Sequence, residues 1–447
     1  MGVIHARQGL LTGGWASNVR IRIESGRIAE VETGVAAAPG DERHDTIVAG
    51  MPNLHSHAFQ RGMAGLAETR GPGNDSFWSW RNVMYRFALS MTPDDVEAVA
   101  AQLYVEMLEA GFTRVGEFHY LHHDKDGRHY GDVAEMAARI ASAASETGIA
   151  LTLLPVFYAH AGFGGTAPGE GQRRFINDRD SYAALLERCR ALTAALPEGI
   201  TGVAPHSLRA VTPDELSAVV AMAGDKPIHI HIAEQVKEVE DSIAWSGRRP
   251  VEWLLDNQKV DGRWCFIHAT HMTDAETRGM AEAGAIAGLC PITEANLGDG
   301  TFPAEFFSAG GQFGVGSDSN VLIGLPDELR QLEYSERLAH RARNVLAAPG
   351  GSTGRALFDG AVAGGAAALG VEAGLAAGRA ADFVSVKTRH GLDLAGDMLL
   401  DGWIFANGAE VDCVWVNGRK QVEGGRHVAR EAIGQRFTRT MQALAEA

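Results

Sequence analysis

From about residue 92 to residue 320 the chain alternates short apolar runs with amphipathic stretches of helical period. Thr92-Pro93-Asp94-Asp95 reads as a helix start, with Thr as N-cap and Pro in the first turn. Val96, Val99, Leu103, Met107 and Leu108 then form one apolar stripe, and Gly111 ends it. Phe112–Phe118 follows as a strand. The same alternation continues through strand candidates at Ile149–Phe157, Ile200–His206, Pro227–Ile232, Trp264–His268, Ala285–Leu289 and Phe313–Gly316. An earlier apolar run, Thr46–Gly50, leads up to His55 and is expected to be the first strand. Together these make about eight strand-helix units, the pattern of an α/β protein built as a closed parallel (β/α)8 TIM-like barrel.

Both ends of the chain carry a different pattern. Asn18–Glu24 alternates strictly, Ser25-Gly26 turns, and Arg27–Val31 returns, which is a hairpin. Near the other end Ala381–Val386 and Val411–Val416 read as strands, with Asn417-Gly418 as a type I′ turn into Arg419. Neither end is long enough to enclose a core alone. The expectation is one small β-sandwich domain assembled from residues 1–48 and 371–447, with the (β/α)8 barrel over 49–370. The Ala- and Gly-rich stretch Ala361–Ala377 is expected to be a close-packed helix and turn at the junction.

With 447 residues and 45% hydrophobic content the chain can bury a large core, and 54 glycines suit many tight connections. The net charge of -16, without any long Lys/Arg run, argues against nucleic acid as a partner. An anionic substrate would need local arginines to overcome that field. The 4 cysteines, Cys189, Cys265, Cys290 and Cys413, are scattered without C-x-x-C spacing and read as buried thiols in a reducing compartment. The N-terminal stretch through Ile23 has no basic region followed by an apolar core, and no run approaches the ~18 apolar residues of a membrane span. A soluble, cytoplasmic protein without a membrane partner is expected.

In a parallel barrel the chemistry lies at the carboxyl ends of the strands. Here those ends carry polar residues on otherwise apolar runs: His55 and His57, then His206 and Arg209, then His229, His231 and Glu234, then His268 and His271, and finally Asp318. His55 and His57 share a face because side chains alternate along a strand. His55, His57, His231 and Asp318 make three imidazoles and one carboxylate, a donor set suited to one Zn²⁺ with a position open to water. Zinc lowers the pKa of such a water to about 7. Glu234, just past the end of its strand, is the candidate proton shuttle. His268 is placed to orient the reacting group or to take a proton from the water, and Asp318 to act as ligand and proton acceptor together. His229, two residues deeper than His231, reads as a packing histidine inside the barrel, and His271 as a supporting residue at a helix start. His122, His123 and His129 fall in a polar stretch and are expected to be solvated. Lys226 lies at the wrong end of its strand to bind metal, and His206 rather than a lysine ends the fourth strand. One metal is therefore expected, without a carbamylated lysine bridging two.

Taken together, His-x-His, His-x-x-Glu, a sixth-strand His and an eighth-strand Asp resemble the amidohydrolase superfamily in its mononuclear deaminase branch. The resemblance runs over nearly the whole chain. The wording of Met51–Arg61, Ala204–Val211 and Cys290–Gly300 is similar to the N-formimidoyl-L-glutamate deiminase family of histidine degradation. That likeness implies hydrolysis of N-formimidoyl-L-glutamate to N-formyl-L-glutamate and ammonia, one Zn²⁺ per chain, and a homodimer. It places the metal ligands on His55, His57, His231 and Asp318 and the catalytic pair on Glu234 and His268. It places substrate contacts on Gln60, Arg81, Tyr120, His206 and Arg209. A small dicarboxylate substrate agrees with guanidinium forks at Arg209 and Arg81. Arg81 follows Trp78 and Trp80 in a long loop after the first strand, read as a lid. A purine or pterin ring deaminase of the same branch would keep the metal set but favour stacking groups in place of Arg209. A metal-binding scaffold without catalysis, the other alternative, would not need every ligand and the shuttle filled.

Overall fold

The computed structural model describes residues 2–71, 73 and 75–446. The two chain ends do share one sheet. Its eight strands run in the order Arg426–His427, Arg419–Glu423, Ala409–Val416, Phe383–Thr388, Glu42–Ala49, Gly2–Leu11, Gly14–Glu24 and Arg27–Glu32. The junction between the ends is Phe383–Thr388 lying antiparallel to Glu42–Ala49, with Phe383 opposite Ala49. A separate apolar core covers this sheet, built from Ile4, Val19, Ile21, Ile23, Ile28, Ile47, Phe383 and Trp415. Alternation along each strand puts these side chains on one face. Asn417 and Gly418 both have positive φ, 49° and 70°, as a type I′ turn requires. Strand pairing joins these strands into one eight-stranded sheet.

The predicted first strand is divided. Thr46–Ala49 belongs to the end sheet, within Glu42–Ala49, and the strand that delivers His55 is Met51–Ser56. The chain crosses from one sheet to the other at Gly50, whose N–H donates to the Asp382 carbonyl at 3.1 Å. A Cβ at Gly50 would stand 2.2 Å from a Thr113 side-chain carbon, so only glycine fits the crossing. A continuous apolar run cannot report such a change of partner, because both strands are buried and look alike in sequence.

The remaining strands are parallel and form two arcs. One contains Met51–Ser56, Phe112–His119, Ala150–Phe157 and Ile200–Thr201, with Ala204–Pro205 also paired to Ala150–Phe157. The other contains Ile228–Ile232, Trp264–His268, Ile286–Leu289 and Phe313–Val315. Single parallel bridges span both seams: Val203 to Ile228 and Ser207 to His231 on one side, Ser56 to Asp318 on the other. At the second seam Asp318 N–H donates to the His55 carbonyl and His57 N–H to the Asp318 carbonyl, each at 3.0 Å. Asn53 reinforces it, donating to Ser317 Oγ at 2.7 Å and accepting from Ser317 N–H at 3.1 Å.

Helices between the strands start and stop as the sequence signals. Thr92 caps Pro93–Ala110 through Asp95, and Gly111 ends it with φ 100°. The Ala/Gly-rich helix is Thr353–Ala368, earlier than expected, and its C-terminal end reaches the arcs, where the Ala368 carbonyl accepts from His229 Nε2 at 2.8 Å. His229 is thus a packing histidine, in keeping with its depth in the strand. Among the described residues no helix is long and apolar enough to cross a membrane.

One close approach sets the site. A Cβ at Gly316 would lie 2.8 Å from the backbone of His55. Gly316→Ala is expected to push the two seam strands apart and to lower stability by about 1–3 kcal/mol. A thermal melt at fixed metal concentration checks this, and an unchanged midpoint would show that the seam has room to adjust.

Candidate active site

The strand ends bring His55, His57, His231 and Asp318 together. His55 Nε2 lies 3.2 Å from His57 Nε2 and 3.1 Å from His231 Nε2. Asp318 Oδ1 is 3.2 Å from His57 Nε2 and 3.5 Å from His55 Nε2. Two of the rings have their tautomer set from behind. His57 Nδ1 donates to the Phe118 carbonyl at 2.9 Å, and His231 Nδ1 to the His206 carbonyl at 3.1 Å. A carbonyl only accepts, so the Nε2 of each ring is left with a bare lone pair facing the cluster. Such lone pairs and a carboxylate crowd together only around an electrophile. For ligand bonds of 2.0–2.1 Å, tetrahedral donors stand about 3.3 Å apart, close to the spacing here. These four residues therefore fit a divalent metal ion, and they form a group able to hold one. Burial pushes His55 down to about 3, which keeps it neutral and available as a ligand. Against its burial, the neighbouring imidazoles of His55, His57 and His268 hold the Asp318 carboxyl well below its ordinary range.

Three strand-end residues sit in left-handed conformations: Ala233 (φ 51°), His268 (φ 68°) and Asp318 (φ 46°). Such positions cost about 1–3 kcal/mol each and cluster where function fixes geometry. Here they turn Glu234, His268 and Asp318 toward one space. Glu234 Oε1 is 3.9 Å from His268 Nε2, and Asp318 Oδ2 is 3.8 Å from the same atom. Burial raises the Glu234 carboxyl despite the neighbouring His268 and Arg209. His268 is pulled down by burial but raised to about 10 by Glu234, Glu294 and Asp318 around it.

The expected substrate contacts line the same cavity as His57, His231, Glu234, His268 and Asp318. Gln60 Nε2 donates to Tyr120 OH at 2.8 Å, leaving Gln60 Oε1 buried without a partner. The ring of His206 packs against Tyr158 at 4.5 Å. Arg209 is buried, its Nε without a hydrogen bond and 4.0 Å from Glu238. Arg81 is not in a loop: it lies on the helix Phe77–Ser90, capped by Ser76. Phe77, Trp80, Arg81, Met84 and Tyr85 fall at helical spacing on the face that covers the cavity. The guanidinium of Arg81 lies 4.5 Å from the Trp78 ring, and its Nε has no partner.

Several residues at the site carry no signal in the sequence strong enough to single them out. Glu294 lies 3.3 Å from His268 Nδ1 and accepts from Cys290 N–H at 2.9 Å. It stands in the Cys290–Gly300 motif, where only the partner is missing from view. Glu238 accepts from the backbone N–H groups of Ala233 and Glu234, at 3.2 Å each. Tyr158 and Phe175 complete the wall. His122 and His123 are not solvated: both are buried, with Nε2 donating to the carbonyls of Val156 and Ile176, and of these three histidines His129 is the exposed one. His271 does not line the cavity; its carbonyl accepts from Arg249 at 2.6 Å. Lys226 is exposed beside Asp225.

A cavity at the carboxyl ends of parallel strands, floored by three histidines and an aspartate, defines a metal-dependent hydrolase class, and similarity to known proteins narrows it. The profile of the amidohydrolase family matches residues 46–420, and the chain belongs to that family. Within it, the profile of the formimidoylglutamate deiminase HutF N-terminal domain matches residues 1–45. The chain is 51% identical to the formimidoylglutamate deiminase of Pseudomonas aeruginosa over 99% of its length and 100% of the relative's. It is 28% identical to a 5-methylthioadenosine/S-adenosylhomocysteine deaminase of Natronomonas pharaonis, over 84% of this chain and 83% of that one. Among solved structures, an amidohydrolase from Brucella melitensis superposes with a TM-score of 0.98 at 65% identity, covering 100% of both chains.

Proposed function

We propose that this protein hydrolyses N-formimidoyl-L-glutamate to N-formyl-L-glutamate and ammonia, with one Zn²⁺ held by His55, His57, His231 and Asp318. The observation that carries the reading is the pairing of that donor set with two guanidiniums in one cavity. Arg81 and Arg209 line it, and neither has an Nε hydrogen bond. A glutamyl body offers two carboxylates to two such forks. The relative at 51% identity supports the same substrate.

When bound, the metal supplies Lewis acidity that makes a water a competent nucleophile near neutral pH. The chain's own groups then manage charge and protons. Asp318 takes the first proton from the attacking water. His268, oriented through Nδ1 by Glu294, stabilises charge at the reacting centre through Nε2. The proton held by Asp318 and the one left on the added hydroxyl both pass to the departing nitrogen, delivered by Glu234, so that the carbon–nitrogen bond breaks with ammonia as the leaving group and the water oxygen becomes the formyl oxygen. Gln60, with its free Oε1, receives the imino N–H, while Tyr120 and His206 border the substrate's body.

The ring-deaminase alternative has one observation in its favour, the aromatic wall of Trp80, Tyr85, Tyr120, Tyr158 and Phe175. A flat base would stack there, yet it would offer no carboxylates to the guanidiniums of Arg81 and Arg209 that line the same cavity. The deiminase reading is preferred for that reason.

The architecture we read with this function is a (β/α)8 barrel closed from the two arcs over residues 49–370. The small domain is residues 1–48 and 371–447, its sheet folded over its core as a sandwich; the protein works as a homodimer. Ammonia release from N-formimidoyl-L-glutamate, with zinc measured on the same sample, tests the reading. Release at about one zinc per chain supports it; no release with zinc in place overturns the arginine clamp. Arg209→Ala is expected to raise KM about tenfold or more with a smaller change in kcat, the pattern of a lost binding contact. Unchanged kinetics would remove Arg209 from the clamp.

A further inference from the structure

A buried guanidinium outside the reaction ties together three walls of the cavity. Arg174 is 0% exposed. Among the described residues, the hydrogen bonds of its guanidinium all go to neutral oxygens. Nη1 donates to the carbonyls of Ala88 at 2.5 Å and Met91 at 2.8 Å, Nε to that of His123 at 2.8 Å, and Nη2 to Tyr130 OH at 3.5 Å. Ala88 and Met91 are the last turn and the C-cap of Phe77–Ser90, the helix that carries Arg81. A helix end leaves carbonyls unpaired and concentrates negative charge, and a cation there is stabilising. This helix has no basic residue in its own last turn. Arg174 supplies the missing cation from a distant part of the chain.

The backbone of the same residue holds a second wall. The Arg174 carbonyl accepts from His122 N–H at 2.9 Å and His123 N–H at 3.0 Å, just after Tyr120. The third wall is the next residue, Phe175, whose ring meets Tyr120 edge-on at 5.0 Å and lies 5.9 Å from Tyr85. The same folding explains why His122 and His123 are buried.

We propose that Arg174 is a positioning residue for substrate binding: it fixes the helix bearing Arg81 against the Tyr120 segment, so that the Arg81 guanidinium stands where a substrate carboxylate arrives. The proposal rests on the deiminase reading for the identity of the substrate, but the positioning itself does not. The competing account is a staple that stabilises the fold without selecting the helix.

The test compares wild type, Arg174→Met, Arg174→Lys, Arg81→Met and the Arg174→Met/Arg81→Met pair. In Arg174→Met, KM for N-formimidoyl-L-glutamate should rise about tenfold with kcat changed less than about threefold and zinc content unchanged. Amide exchange should quicken across residues 77–90 and stay unchanged in Ile228–Ile232. Lysine, which keeps the charge but not the fork, should restore part of the KM. On the Arg81→Met background, Arg174→Met should add less than about twofold, because it acts through the residue already removed. Unchanged KM and exchange in Arg174→Met overturn the proposal. So does full additivity with Arg81→Met, or faster exchange in both regions alike, which is the staple. If the methionine variant fails to fold, the lysine variant alone carries the comparison of KM and exchange. A wild type that releases no ammonia overturns the functional reading, and the exchange pattern still decides the positioning.

Discussion

Glu234→Gln is expected to lower kcat for N-formimidoyl-L-glutamate by about a thousandfold while zinc stays bound. Glutamine keeps the size of the side chain and loses only the ability to carry a proton. The backbone that presents it is held independently, by Glu238 accepting from the N–H groups of Ala233 and Glu234. The position should therefore survive the substitution. Glu234 is outside the group formed by His55, His57, His231 and Asp318, so metal affinity has no direct reason to fall. Turnover measured on zinc-quantified protein checks both halves. Activity retained in the glutamine variant would remove the shuttle and leave Asp318 with His268 to move both protons.

His231→Ala should lose zinc and turnover together. His231 presents a bare Nε2 because its Nδ1 is committed to the His206 carbonyl. Alanine removes that lone pair from the centre of a four-donor set and leaves an open, still buried space. The measurement that separates this variant from Glu234→Gln is the stability gained on adding metal. A ligand at a thousand times its Kd stabilises the folded state by about 4 kcal/mol. Wild type and Glu234→Gln should show such a zinc-dependent rise in Tm, whereas His231→Ala should show almost none. A zinc-dependent rise that persists in His231→Ala would mean that the ion sits elsewhere.

Much of the arrangement is legible in the sequence. The strand at Trp264–His268 has the expected limits, and those at Phe112–His119 and Ile228–Ile232 differ by one residue at one end. An apolar run bounded by a capped helix on each side leaves few other readings. The polar residues at the strand ends are conspicuous because everything before them is apolar. The structure does bring His55, His57, His231 and Asp318 within reach of one another. Other features are not legible. Arg81 resembles a loop residue because Gly71, Gly73 and Asp75 precede it, yet Ser76 caps a full helix from Phe77. His122 and His123 resemble solvated residues because their neighbours Asp124, Lys125 and Asp126 are polar. They are buried because Arg174, about fifty residues later, folds over them.

Periodicity, capping and composition are local, so most of the elements and the residue types available for chemistry follow from them without knowledge of any partner. The sequence also places the imidazoles at strand ends, where a parallel architecture puts its site. Which of those groups meet, and in what state, depends on the folding of distant segments against one another. That folding divides one apolar run between two sheets at Gly50. It sets the tautomers of His57 and His231 through the carbonyls of Phe118 and His206. It gives His268 to Glu294 and the Arg81 helix to Arg174. Each of these is a hydrogen bond or a close approach between residues far apart in the chain, and no local pattern carries the position of a partner that lies outside it.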